Sequence, residues 1–109
     1  QERLDWTKTG EELYNQVRGL NPWPVAYTEW NGAHLKVWEA KKVPLQVQEE
    51  PGKVIELQKE GPVIGTGNKQ GLLLTGVQPA GKKKMSGEDF LRGANIEIGQ
   101  KLGLMNEEK

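Results

Sequence analysis

The sequence predicts a mainly β fold, and three observations carry that expectation. From Val25 onward, short runs of alternating apolar and polar residues are separated by turn signals at regular spacing. Gly (14) and Pro (6) are abundant and only 35% of the 109 residues are hydrophobic, which suits many turns rather than long helices. Helical periodicity is confined to two short stretches, each opened by a capping signature. At this length the natural arrangement is one small OB-like Greek-key β-barrel with an N-terminal helix and a short C-terminal helix. Such a chain can bury one modest core, with four Trp supplying area that a scarce aliphatic inventory lacks.

Taken in order, residues 1–8 are polar apart from Leu4 and Trp6 and read as an extended lead-in that docks by its tryptophan. Thr9-Gly10-Glu11-Glu12 has the form of a capping box. Leu13, Val17 and Leu20 then recur at helical spacing, and Gly19 suits a helix end, so a helix is expected from Gly10 to Arg18. Asn21-Pro22-Trp23-Pro24 fixes φ at two positions and removes two backbone donors, so it must break the helix. Trp23 is expected to be buried there, pinning the helix to one end of the barrel.

Val25 to Ala40 is the clearest hairpin. Asn31-Gly32 is the preferred pair for a two-residue type I′ turn, because both central positions need positive φ. That turn pairs Trp30 with Ala33, Thr28 with Leu35 and Ala26 with Val37, and assigns those six to an interior face. Tyr27, Glu29, His34, Lys36 and Trp38 fall on the opposite face, whose aromatics need a cover, either a helix or a ligand. Pro44 marks an edge or bulge. Further strands are expected at Val54–Leu57, Val63–Thr66 and Leu72–Val77, with turns at Glu49–Gly52, Glu60–Gly61 and Asn68–Gly71. Ser86 caps a second helix from Gly87 to Arg92, with Met85 and Phe90 spaced as a hydrophobic staple. Ile96, Ile98 and Leu102 add a last extended piece, and Asn106–Lys109 reads as a frayed tail.

Several function classes are excluded or unsupported. Cysteine is absent, so disulfides, thiolate metal sites and thiol catalysis are out, in keeping with a reducing compartment. No apolar run approaches the roughly 20 residues needed to span a bilayer, and no signal-peptide pattern opens the chain. The first residue is Gln rather than Met, as in a processed terminus or a piece of a longer protein. His34 is the only histidine, so neither a base nor a metal ligand set is expected. Gly61-Pro62-Val63-Ile64-Gly65-Thr66-Gly67 hints at a phosphate loop, but Gln70 stands where the third glycine belongs and no helix opens there. Glu49, Glu50, Glu56 and Glu60 read as a solvated face rather than a paired-carboxylate site.

What remains is a basic run. Lys plus Arg equals Asp plus Glu at 15 each, so any polyanion binding must come from a local patch. Lys82-Lys83-Lys84 is the strongest positive stretch, with Arg92, Lys41-Lys42 and Arg18 elsewhere. If the fold gathers these, they neutralise phosphates as point charges, and Trp23, Tyr27 or Trp38 could add base stacking of about 1–3 kcal/mol each.

Asp5-Trp6, the capped helix ending in Arg18-Gly19-Leu20-Asn21-Pro22-Trp23-Pro24, Ala26-Tyr27-Thr28 and Leu35-Lys36-Val37-Trp38 resemble the C-terminal domain of the methionyl-tRNA formyltransferase family. The likeness closes with Gly81-Lys82-Lys83, Met85-Ser86 and Asp89-Phe90-Leu91-Arg92-Gly93, and is weakest from Gln46 to Gln70. Asn21, Pro22, Trp23 and Pro24 form its structural signature. The resemblance implies one OB-like C-terminal domain over residues 1–109, cut from an enzyme whose N-terminal Rossmann-like catalytic domain is absent from this chain. That enzyme moves a formyl group from the co-substrate 10-formyltetrahydrofolate to the amino group of initiator methionyl-tRNA. No catalytic, cofactor or metal residue is carried over to this chain. The implied tRNA contacts are Lys82 and Lys83, then Lys84, Arg92, Arg18, Lys36, Lys41 and Lys42. The implied partners are initiator methionyl-tRNA and the chain's own catalytic domain, for a cytoplasmic monomer without membrane or metal.

Two alternatives make different demands. The same domain on a formyltransferase acting on an amino-sugar nucleotide, or on a formyltetrahydrofolate hydrolase, has no use for gathered lysines. A free-standing OB-like module that binds single-stranded nucleic acid or a protein requires Trp23, Tyr27 or Trp38 to be exposed in a groove.

Overall fold

The computed structural model describes residues 2–20 and 25–103. The signature Asn21-Pro22-Trp23-Pro24, with the expected burial of Trp23, and the tail from Asn106 lie outside the described residues. Helix α1 covers Gly10–Leu20. Its capping box forms as expected: Glu12 N–H donates to Thr9 Oγ1 at 3.1 Å, and Thr9 N–H donates to Glu12 Oε1 at 3.0 Å. Leu13 and Val17 are buried. The helix runs two residues past the expected end, because Gly19 is not among the residues at positive φ and so does not stop it.

Strands β1 (Ala26–Trp30) and β2 (Ala33–Pro44) make the expected hairpin, in the expected register of Trp30 with Ala33, Thr28 with Leu35 and Ala26 with Val37. Asn31 and Gly32 take φ of 57° and 80°, which sets that register. Strand β3 covers Val54–Gln58 and β4 covers Gly61–Ile64. The β3–β4 turn is Lys59-Glu60 rather than Glu60-Gly61, since Gln58 pairs with Gly61. Thr66 therefore lies beyond β4, its hydroxyl buried and bonded to Gln70 O and Asn68 Oδ1. Strand β5 is longer than expected, Gln70–Pro79, and a two-residue strand β6 (Met85–Ser86), which the sequence did not signal, pairs with it. Helix α2 follows at Gly87–Gly93, capped by Ser86 Oγ accepting from Asp89 N–H at 3.0 Å.

The strands form one antiparallel sheet ordered β1-β2-β5-β4-β3, with β6 beside β5. One face buries Leu35, Val37, Leu72, Leu74 and Val77 against Leu13 and Val17 of α1 and Phe90 of α2. β1 and β3 do not pair, so the sheet does not close into a barrel by strand pairing, and OB-like describes it only loosely. Instead, the last described segment spans the gap. Val54 N–H donates to Gln100 O and Leu102 N–H to Gly52 O on the β3 side, and Gly103 N–H donates to Glu29 O of β1 at 2.7 Å. Ile96 and Leu102 are buried along this seam, whereas Ile98 is exposed, so the expected last extended piece is only partly apolar anchoring.

Trp6 is the plug of that seam. It is 5% exposed, and its indole Nε1–H donates to Thr28 Oγ1 at 2.9 Å in a buried site. A Cβ on Gly103, which sits at φ 87°, would come within 3.1 Å of the Trp6 ring, so only glycine lets the closing segment cross there. Asp5 orients the plug: its Oδ1 accepts from Thr7 N–H at 3.0 Å and Thr7 Oγ1–H at 2.7 Å. These bonds, the hydroxyl first, hold the Asp5 carboxyl below its ordinary value of 3.8.

Two outcomes follow from the seam. Trp6→Phe leaves the Thr28 hydroxyl without its donor and a void beside it, and costs about 2–4 kcal/mol in a urea titration. A loss under about 0.5 kcal/mol would show that the plug is dispensable. Because the Asp5 pKa is lowered in the fold, its stabilisation is present above the unfolded value and lost as pH falls through the folded one. Asp5→Asn should therefore narrow the stability difference between neutral pH and a pH below 3.8, and a carboxyl NMR titration should find Asp5 protonating below that value.

Candidate nucleic-acid interface

The outer face of β1, β2 and β5 collects the cationic and aromatic side chains that the hairpin register turns away from the core. Lys36 pairs with Gln78 of β5. The Gln78 side chain then ties two elements together: its Oε1 accepts from Trp38 Nε1–H at 3.0 Å, and its Nε2–H donates to Lys82 O at 2.9 Å. Lys84 Nζ lies 4.7 Å from the centroid of the Trp38 ring, a cation–π contact that holds the β5–β6 loop against β2. Lys36 thus stands opposite Gln78, Lys82 is tied to it through its backbone carbonyl and Lys84 is held on the neighbouring Trp38, while Lys82, Lys83 and Lys84 are all exposed.

The remaining aromatics of this face find their own cover. Tyr27 stacks on His34 with ring centroids 4.4 Å apart. Arg3 of the lead-in bridges to Tyr27 along the edge of β1. Its Nε–H donates to Glu29 Oε2 at 2.8 Å, a contact that raises the Arg3 pKa. Glu29, expected on an open face, is therefore 3% exposed. Within the chain, His34 stacks on Tyr27 and Lys84 lies over Trp38. Both rings are half-buried rather than open in a groove.

The other basic candidates divide differently. Arg18 and Lys42 converge on Tyr14, at 5.4 and 5.1 Å from its ring centroid, as a second cationic cluster on α1 and β2. Lys41 pairs with Glu60 at 3.3 Å. Arg92 pairs with Asp89 and, at 3.8 Å, with Glu88, so its charge is already opposed. His34 is spent on stacking. Among the described residues no group of three His, Cys, Asp or Glu could hold a metal ion. The glycine-rich run after Gly61 is no phosphate cradle, since Gly65 N–H already donates to Lys53 O and Gly67 N–H to Lys8 O. Glu50 and Glu60 are paired with Lys101 and Lys41. No helix of the described residues is long and apolar enough to cross a membrane.

Sequence reasoning found the lysine run but not Gln78, whose role depends on a β2–β5 pairing 40 residues apart. It also missed a cleft of about 660 Å³ beside the same loop, lined by Trp30, Lys82, Met85 and Phe90 among others.

Residues 1–95 match the family described as formyl transferase, C-terminal domain. The chain is 98% identical over all 109 residues to the methionyl-tRNA formyltransferase of Bacillus pumilus (strain SAFR-032), and spans 34% of that protein. It is 61% identical over 107 residues to the methionyl-tRNA formyltransferase of Bacillus subtilis (strain 168), again spanning 34% of it. Among solved structures it resembles HypX from Aquifex aeolicus in complex with tetrahydrofolic acid, with a TM-score of 0.66 and 18% identity over 99% of this chain and 22% of that one. At that identity the likeness concerns the fold. With the family pattern covering most of its length and close relatives in agreement, the chain belongs to the formyl transferase C-terminal domain family.

Proposed function

We propose that the chain is the single C-terminal, tRNA-binding domain of a methionyl-tRNA formyltransferase. The observation that carries this reading is the 98% identity, over all 109 residues, to a protein of that name. On this reading a Rossmann-like catalytic domain outside this chain transfers the formyl group of 10-formyltetrahydrofolate to the methionyl amino group of initiator tRNA. The fragment itself has no catalytic role, and the folate belongs to the missing domain. The whole protein works in the cytoplasm, as a monomer.

The part left to this chain is to hold RNA. Lys82, Lys83, Lys84 and Lys36 are the principal contacts, a small positive patch on a chain of zero net charge. Arg18 and Lys42 on Tyr14 form a secondary one. Lys41 and Arg92 contribute least, because each already faces a carboxylate. Gathering lysines on one outer face favours RNA over an amino-sugar nucleotide, which is too small to need them. The half-buried Tyr27 and Trp38 give a free-standing stacking platform little support.

Lys82→Ala with Lys83→Ala should weaken binding of initiator tRNA and flatten its log affinity against log salt by roughly one to two units. Arg92→Ala should alter the slope by less than half as much. An unchanged slope in the double variant, measured by fluorescence titration across salt concentrations, discards the assignment.

A further inference from the structure

The cleft beside the lysine loop is a concavity that the proposed lysine contacts leave unfilled. Its floor and walls come from four separate parts of the chain: Trp30 and Asn31 at the β1–β2 turn, Lys82 and Met85 around β6, Asp89 and Phe90 of α2, and Gln100 of the closing segment. Trp30 is half-buried and meets Phe90 edge-to-face, with centroids 5.2 Å apart at 73°. That contact fixes the indole plane and leaves part of the ring facing the cleft. At about 660 Å³ the space is within the range of small-ligand sites.

We propose that this cleft receives one unstacked nucleobase of the bound RNA, an inference that rests on the tRNA-binding reading. Three features select this occupant. The wall is a flat aromatic with a thioether beside it, the surface on which a base stacks. Asn31, Asp89 and Gln100 offer amide and carboxylate groups suited to the polar edges of a base. Lys82 belongs both to the cleft wall and to the exposed Lys82–Lys84 run, so a phosphate gripped by the loop brings its own base to the cleft mouth. The charged residues in the wall are Lys82 and Asp89, and Asp89 is paired with Arg92, which leaves Lys82 as the wall's group for a phosphate. An acidic peptide would satisfy the lysines but has no need of a rigid aromatic slot.

The test uses the full 109-residue chain and a transcript of initiator tRNA. The indole N–H resonance of Trp30 is followed by NMR, with the buried Trp6 indole, bonded to Thr28 away from the lysine loop, as internal reference. It should shift on addition of tRNA in the unmodified protein, which needs no variant. Trp30→Leu should then lower tRNA affinity about five- to a hundred-fold while leaving the salt slope unchanged, since a stack releases no counterions. Trp30→Phe should recover most of the loss. If tRNA binds with the lysine-dependent slope but the Trp30 indole does not move and Trp30→Leu is neutral, the cleft proposal is overturned and the tRNA-binding reading stands. If tRNA does not bind at all, both fall together.

Discussion

The structure depends on how a sheet with two unpaired edges is kept from remaining open. β1 and β3 present rows of backbone donors and acceptors that, left bare, would invite another chain to pair. The chain answers with its own ends. The lead-in runs along β1, with Leu4 N–H donating to Tyr27 O and Tyr27 N–H to Glu2 O. The closing segment lies between β3 and β1. Where the two meet, Arg3 donates to Gly103 O at 2.9 Å and Trp6 fills the space beneath. The tryptophan is chosen over an aliphatic residue for its polar handle. It covers a wide area and still satisfies the buried Thr28 hydroxyl, which a leucine would leave stranded.

That closure decides where charge can gather. With the edges occupied and the inner face filled by α1 and α2, the outer face of β1, β2 and β5 is where long cationic side chains can collect around half-buried rings. A register irregularity between Val37 and Ala40 of β2 interrupts strict alternation at Trp38. The Trp38 indole then reaches Gln78, and Lys84 is drawn over it. A neutral chain thereby acquires a local positive surface through packing, not through composition.

Much of the fold was legible in the sequence because its signals are local. Thr9 and Ser86 cap as their spacing demands, and Asn31-Gly32 fixes a hairpin register that the structure reproduces residue for residue. The errors arise where a long-range pairing outweighs the local sign. Lys59-Glu60 turns in place of Glu60-Gly61 because the β4–β5 ladder sets the position of Val63, opposite Leu73. β6 has two residues and no pattern to read, existing only because Gly76 and Val77 lie opposite. Among the candidate contacts, the lysine run was visible as a run. The neutralisation of Arg92 by Asp89 was in reach, since a three-residue spacing on a capped helix brings the two together. Gln78 and the Trp30 cleft were not, because each is assembled from elements far apart in the chain.

The arrangement at Arg3 and Gly103 has a kinetic side. The two residues are 100 positions apart, and their contact completes an edge that neither hairpin can complete alone. The β1–β2 and β3–β4 hairpins close short loops and can form early, whereas the seam must gather nearly the whole chain at an entropic cost that grows with loop length. Until it does, both outer strands stand bare and Trp6 is in water. The vulnerable moment for this sequence is thus the interval between a sheet that has formed and an edge that has not yet been covered, when self-association competes with the last step of folding.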